Sequence, residues 1–208
     1  MRSTLQKLAI LSSIIGIFVS ATFTNIYTRA ASHQDSTIVN IDIQDNLCIF
    51  NITVKPEKRL PTTNNWGTLL TVEILDLSGF RIGTLQGRSN NFGQATFDIC
   101  AQGVAMTTNT SYNFYIRGLS HLRKYYPNVN IVLGAKGAND FSVGGTSKLL
   151  LAGETSVIFD NYINSLDLST QAKNFRRTDD EKDDLNRDGI VNALDISNTA
   201  YNFRKVGD

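Results

Sequence analysis

The sequence predicts a multidomain chain, an all-β sandwich followed by a small all-α module built on calcium-binding loops. Three observations carry that reading. Apolar and polar residues alternate in short runs between 36 and 135, the residues from Asp184 to Asp195 form a twelve-residue stretch rich in oxygen-bearing side chains, and the block around its end occurs twice. No stretch before residue 160 has a helical period.

The acidic stretch is the most specific signal. Counted from Asp184, side chains bearing oxygen stand at positions 1, 3, 5, 9 and 12, with glycine at 6. Calcium takes six to eight oxygens in a flexible shell, and a loop of this length can wrap one ion. Asp184, Asn186 and Asp188 offer side-chain oxygens, Ile190 its carbonyl, Asn192 a direct or water-mediated contact, and Asp195 closes the far side. Gly189 suits the sharp turn that a Cβ resists. The pattern is that of an EF-hand loop with Asp in place of the final Glu.

The block Ile163–Arg176 matches Val191–Arg204 at an offset of 28, with 8 of 14 positions identical. A loop ending in I/V-N-x-x-D, followed by one helix and duplicated, resembles the type I dockerin domain over roughly residues 150–208. The resemblance implies a dockerin-like module of two calcium loop–helix units, each without the entering helix of an EF-hand. It also implies a cohesin-like or other extracellular protein partner, chosen partly by the positions before the last ligand: Ser165 and Leu166, Ala193 and Leu194. Leucine at both second positions departs from the more polar residues common there, which leaves an intramolecular packing role open.

The first unit departs further. Counting back from Asp167 places Asp160 at position 5, but Ile158 and Ser156 at positions 3 and 1, and isoleucine has no side-chain oxygen. Two extra residues before Asp160 would let Glu154 supply the absent carboxylate. The wider loop would then offer Glu154, Asp160, Tyr162 through its carbonyl, Asn164 and Asp167. The plainer expectation is a structural mimic without metal.

Residues 1–31 stand apart from the fold. Arg2 and Lys7 precede a charge-free apolar run, Leu8–Phe23, which reads as a secretory signal with a small-residue site at Val19-Ser20-Ala21 or Arg29-Ala30-Ala31. The rival is an uncleaved N-terminal membrane anchor, although the run is short of the ~20 residues a spanning helix needs. Both place the remainder in an extracellular or cell-surface setting. With 20 basic against 19 acidic residues, no nucleic-acid partner is implied.

The sandwich is expected over 36–135, with strands at Thr37–Ile43, Leu47–Val54, Thr68–Leu77, Phe80–Ile82, Gln94–Ile99, Tyr112–Ile116 and Val129–Leu133. The pieces Asp76–Gly79, Gly93–Phe97 and Tyr112–Gly118 are similar to carboxypeptidase-regulatory or transthyretin-like sandwiches, modules that bind or carry. Cys48 and Cys100, the two cysteines, are one disulfide in an exported protein or else two buried thiols. A bridge would stabilise by about 4 kcal/mol in the chain-entropy model. Residues 136–150 form the expected linker, with Gly144–Ser147 as hinge.

Catalysis finds little support. His33 and His121 are the two histidines, and the acids Asp42, Asp45, Glu73, Asp76 and Asp98 read as solvated strand or turn residues. Trp66, with Tyr125 and Tyr126, offers sugar stacking or an end plug for the sandwich. Asn51 and Asn109 head glycosylation patterns. In the helices, the stripes Leu168, Ala172, Phe175 and Ile196, Ala200, Phe203 are expected to pack on each other, and Asp179–Asp183 to be a solvated connector. The sequence thus points to a non-catalytic, exported calcium-binding (Ca2+) protein that docks a partner. The alternative is an accessory component of polysaccharide binding or degradation, with the sandwich holding the carbohydrate.

Overall fold

In the computed structural model, the residues described are 45–57, 65–143 and 148–208, with the backbone of 27–28 and 39–40. The expected signal segment, most of the strand Thr37–Ile43, His33 and the Gly144–Ser147 hinge lie outside the described residues. The chain divides into two units, Met1–Asp45 and Asn46–Asp208. In the first, β1 (Tyr27–Thr28) pairs antiparallel with β2 (Val39–Asn40). No helix among the described residues is long and apolar enough to cross a membrane.

A 3-10 turn, Asp45–Cys48, spans the boundary, and the second unit continues with β3 (Ile49–Thr53). There follow β4 (Leu69–Leu75), β5 (Arg81–Arg88), β6 (Gln94–Asp98), β7 (Ser111–Gly118), β8 (Lys124–Asn130) and β9 (Asn139–Asp140). They form two sheets in the orders β6-β3-β9 and β5-β4-β7-β8. Alternation does what a half-buried strand requires: Leu70, Val72 and Ile74 of β4 are fully buried, as are Phe50 of β3 and Phe114 and Ile116 of β7. Phe50 and Phe114 stack across the two sheets with centroids 5.7 Å apart. The sheets approach so closely at Gly87 that a Cβ there would meet the Phe97 ring at 2.8 Å.

Several boundaries differ from expectation. β5 runs on to Arg88 because it pairs with β4 along its whole length. The last long strand is Lys124–Asn130, with Ile131 and Leu133 buried beyond its end. The stretch expected as a linker, 136–150, is largely part of the sandwich. β9 pairs parallel with β3, Phe141 and Leu150 enter the core, and Leu150 forms a bridge with Pro56. Apolar burial at Phe141 and Leu150 explains why this segment is not a free joint.

Cys48 and Cys100 are bridged, with Cα atoms 5.3 Å apart. Their parity conflict in sequence disappears because β6 ends at Asp98, and Cys100 lies in a turn whose Ile99 N–H donates to the Cys48 carbonyl (2.8 Å).

Two helices close the unit, α1 (Ser165–Lys173) and α2 (Ala193–Tyr201). Each starts with a capping box. Asn164 and Asn192 accept the N–H of Leu166 and Leu194, while Asp167 and Asp195 reach back to the cap backbone.

Candidate functional site

The two loops before these helices are built alike. Asp195 Oδ1 accepts the N–H of Leu185 (2.8 Å) and Asn186 (3.1 Å), and Asp167 Oδ1 accepts those of Thr155 (2.7 Å) and Ser156 (2.8 Å). Asn192 Nδ2 donates to Asp188 Oδ2 and the Ile190 carbonyl, and Asn164 Nδ2 donates likewise to Asp160 Oδ2 and the Tyr162 carbonyl. Glu154 thus stands where Asp184 stands, and Ser156 where Asn186 does. Three residues, Val157 to Phe159, occupy the place of the single Arg187. The register brings Glu154 into the first loop, and its Oε2 accepts the Tyr162 N–H (3.1 Å).

In the second loop, Asp184 accepts the N–H of Asp188 (3.2 Å) and Gly189 (2.9 Å). Gly189 has φ 96°, and the equivalent turn of the first loop is taken by Asn161 at φ 60°. Asp184, Asp195, Glu154 and Asp167 are all buried. Burial pushes Glu154 up to about 7, helped by the charge of Asp167. Burial also raises Asp195. At Asp188 burial acts upward too, but the amide hydrogen bonds from Asn186 and Asn192 outweigh it and hold the carboxyl low.

The donor set of the second loop is all oxygen, from three carboxylates, two amides and a carbonyl, which fits a hard cation in kind and order. As the loops stand, no group of three or more His, Cys, Asp or Glu among the described residues is placed to hold a metal ion. The carboxylates instead accept N–H donors from within the loops. Asn186 Nδ2 and Asn192 Nδ2 both donate to Asp188 Oδ2.

The helices invert the expected packing. Ala172, Phe175, Ala200 and Phe203 are exposed and Leu168 and Ile196 only half-buried, while the buried positions are Asp167 and Gln171 on α1 and Asp195 and Thr199 on α2. The reason is the loops: their last acidic residue, Asp167 or Asp195, is tied into the loop backbone from the first helical turn, and whatever shares its face at i+4 turns inward with it. Ser165, Leu166, Ala193 and Leu194 are all exposed, with Leu166 at 55% and Leu194 at 58%. Each repeat therefore leaves the same two apolar residues exposed, Leu166 and Phe175 in the first and Leu194 and Phe203 in the second. Arg176 lies over Phe175 and Arg204 over Phe203, both at 5.9 Å.

The acidic connector is also not a solvated linker. Asp183 is buried, and the amide of Asn174 donates to Asp180 Oδ2 (2.9 Å) and Asp183 Oδ2 (2.6 Å). Burial pushes Asp183 up to about 6. Glu181 accepts the Arg88 guanidinium through both oxygens (2.5 and 2.6 Å), and that fork holds it down to about 2. The Glu181 contact leaves no local trace in the sequence because its partner, Arg88, lies 93 residues away in β5.

The aromatic trio does not form one platform. Tyr126 is buried and donates its hydroxyl to the Lys148 carbonyl (3.0 Å), and Tyr125 lies against Tyr115 at 4.8 Å. Trp66 is half-buried with Lys55 Nζ over its ring at 5.3 Å. Asn51 is buried in mid-strand, whereas Asn109 lies exposed in a turn. His121 is fully buried beside Gly118, and Asp76 caps its own turn by accepting the N–H of Ser78 and Phe80.

No family model matches this chain, and neither does any curated protein. Among solved structures, the chain is similar to an N-terminal interface mutant of a type II cohesin–X-dockerin complex from Acetivibrio cellulolyticus. The TM-score is 0.51 at 22% identity, covering 76% of this chain and 97% of the other. A C-terminal interface mutant of the same kind of complex gives 0.49 at 24% identity, covering 76% and 96%. The likeness is one of fold, a β-sandwich.

Proposed function

We propose that this chain is a non-catalytic extracellular docking protein whose C-terminal repeats form a dockerin-like, calcium-dependent module. The observation that carries the reading is that both repeats leave the same apolar residues exposed, Leu166 and Leu194 at the helix starts and Phe175 and Phe203 just past the helix ends, while the buried helix positions are polar. A helix that turns its apolar residues outward in both copies has a partner to meet. Asp184, Asn186, Asp188, Ile190, Asn192 and Asp195 would hold calcium in the second loop, and Glu154, Asp160, Tyr162, Asn164 and Asp167 in the first. The Cys48–Cys100 bridge suits an oxidising compartment. The solved-structure likeness also supports it.

The test is a calorimetric titration of the full chain with a type II cohesin, in calcium and after chelation. Binding in calcium that is lost on chelation and in Leu166→Asp/Leu194→Asp supports docking. An absence of binding in both conditions overturns it. Binding to an isolated dockerin instead would assign the receptor role to the sandwich.

A further inference from the structure

Position four of the second loop is one place where the helical module meets the sandwich. Arg187 lies between Asn186 and Asp188, and its backbone is left-handed (φ 62°). A residue with a Cβ stays there only when its surroundings hold it. The Arg187 carbonyl accepts Asn65 Nδ2 at 2.9 Å, from the segment that leads into β4. Its guanidinium, 14% exposed, pairs with Glu181, and Glu181 takes the fork of Arg88 on β5. The first loop rests on the same sheet at the equivalent place, with Phe159 under the Arg117 guanidinium of β7 at 4.0 Å.

An isolated surface ion pair contributes little. This one differs because a single carboxylate is shared by two guanidiniums, one of them mostly buried, and because a hydrogen bond fixes the same residue's backbone. The geometry points to Asn65 and Arg88 as positioning residues for the calcium loop. Through Arg187 they keep it curled, with Asp184 capping the turn at Asp188 and Gly189, so that the loop's affinity for calcium is coupled to the sandwich. The inference rests on the calcium reading above. Coupling is reciprocal, so calcium in turn tightens the seam at Asn65 and Glu181.

The experiment is a calorimetric calcium titration of the chelator-treated full chain, as wild type, as Asn65→Ala/Arg88→Ala, and as Arg81→Ala, an exposed change at the other end of β5. The double variant is expected to bind calcium about tenfold more weakly, with Arg81→Ala unchanged. Hydrogen exchange at Arg187, Asp188 and Gly189 should quicken in the calcium-free double variant while the β4 and β7 amides keep their protection, which separates a loosened loop from a misfolded chain. Arg88→Gln, which keeps an amide donor on a shorter stem, is expected to lose less. Equal affinity in the double variant and the wild type overturns the coupling and leaves the calcium reading intact. A wild type that takes up no calcium overturns both.

Discussion

Ile163 and Val191 exchange backbone hydrogen bonds with each other's repeats. Ile163 donates to the Lys205 carbonyl (3.0 Å) and accepts from the Arg204 N–H (2.8 Å), while Val191 donates to the Arg177 carbonyl (2.8 Å) and accepts from the Arg176 N–H (2.7 Å). Both side chains are fully buried. Each loop is therefore completed by the residues that follow the other helix, and neither repeat closes its backbone bonds alone. Truncation of Ile163 to alanine should cost about 2–5 kcal/mol and loosen both loops together. Denaturant unfolding with hydrogen exchange in both repeats checks this; loosening confined to the first would contradict it.

The buried carboxylate of Asp195 serves two loop amides and the cap amide of Asn192 at once. Asp195→Ala leaves three donors short and should cost at least about 3 kcal/mol even without calcium, as read by chemical denaturation. An isosteric Asp195→Asn should cost less, because one oxygen can still accept.

Glu154 gives the calcium-free protein a pH dependence of definite sign. Its folded pKa is raised from 4.5 to about 7, chiefly by burial and then by Asp167, so the folded state binds more protons than the unfolded one between those values. Its contribution to stability is full below pH 4.5 and declines as pH rises toward 7. Glu154→Gln should flatten that decline in thermal melts recorded in chelator. A slope that survives the substitution would assign it to another group.

Because Phe175 and Phe203 keep 44% and 38% of their surface exposed, Phe175→Ser/Phe203→Ser should lower stability by only about 1 kcal/mol for each. Had these rings formed the module's core, the same change would cost several times more. Differential scanning calorimetry decides between the two.

Reduction of the Cys48–Cys100 bridge should lower stability by about 4 kcal/mol in the chain-entropy model. The Cys48→Ser/Cys100→Ser variant provides the comparison without reductant, and an unchanged melting temperature would show that the ends of β3 and β6 are held by pairing alone.

The strands and loops were legible because their periods are local. Leu70, Val72 and Ile74 alternate within one strand, and the oxygen-bearing residues from Asp184 to Asp195 recur within twelve residues. The first loop leaves two readings open in sequence, a structural mimic without metal or a loop widened to take Glu154, and only the contacts of Glu154 place it inside the loop. The helix faces were misread for a physical reason. Leu168, Ala172 and Phe175 share a helical stripe, but so do Asp167, Gln171 and Asn174, and apolarity alone favours the first. What decides is that Asp167 is tied to the loop backbone, a constraint that hydrophobic periodicity does not carry. β9 escaped notice because a two-residue strand has no period, and Glu181 because its guanidinium partner lies far off in the sequence.

The segment that leads from the sandwich into the repeats has a mechanical meaning. Leu150 donates to the Lys55 carbonyl (3.1 Å), Leu122 to that of Leu151 (2.9 Å), and Gly153 to that of Ser120 (2.9 Å). A pull applied at α1 or α2 does not first straighten a slack tether; it loads these bonds at once and passes into β3 and into the Gly118–Lys124 turn between β7 and β8. The sandwich then acts as the strut against which the helices are braced, and a partner bound at Leu166 or Leu194 as proposed would be held at a set angle rather than on a swivel.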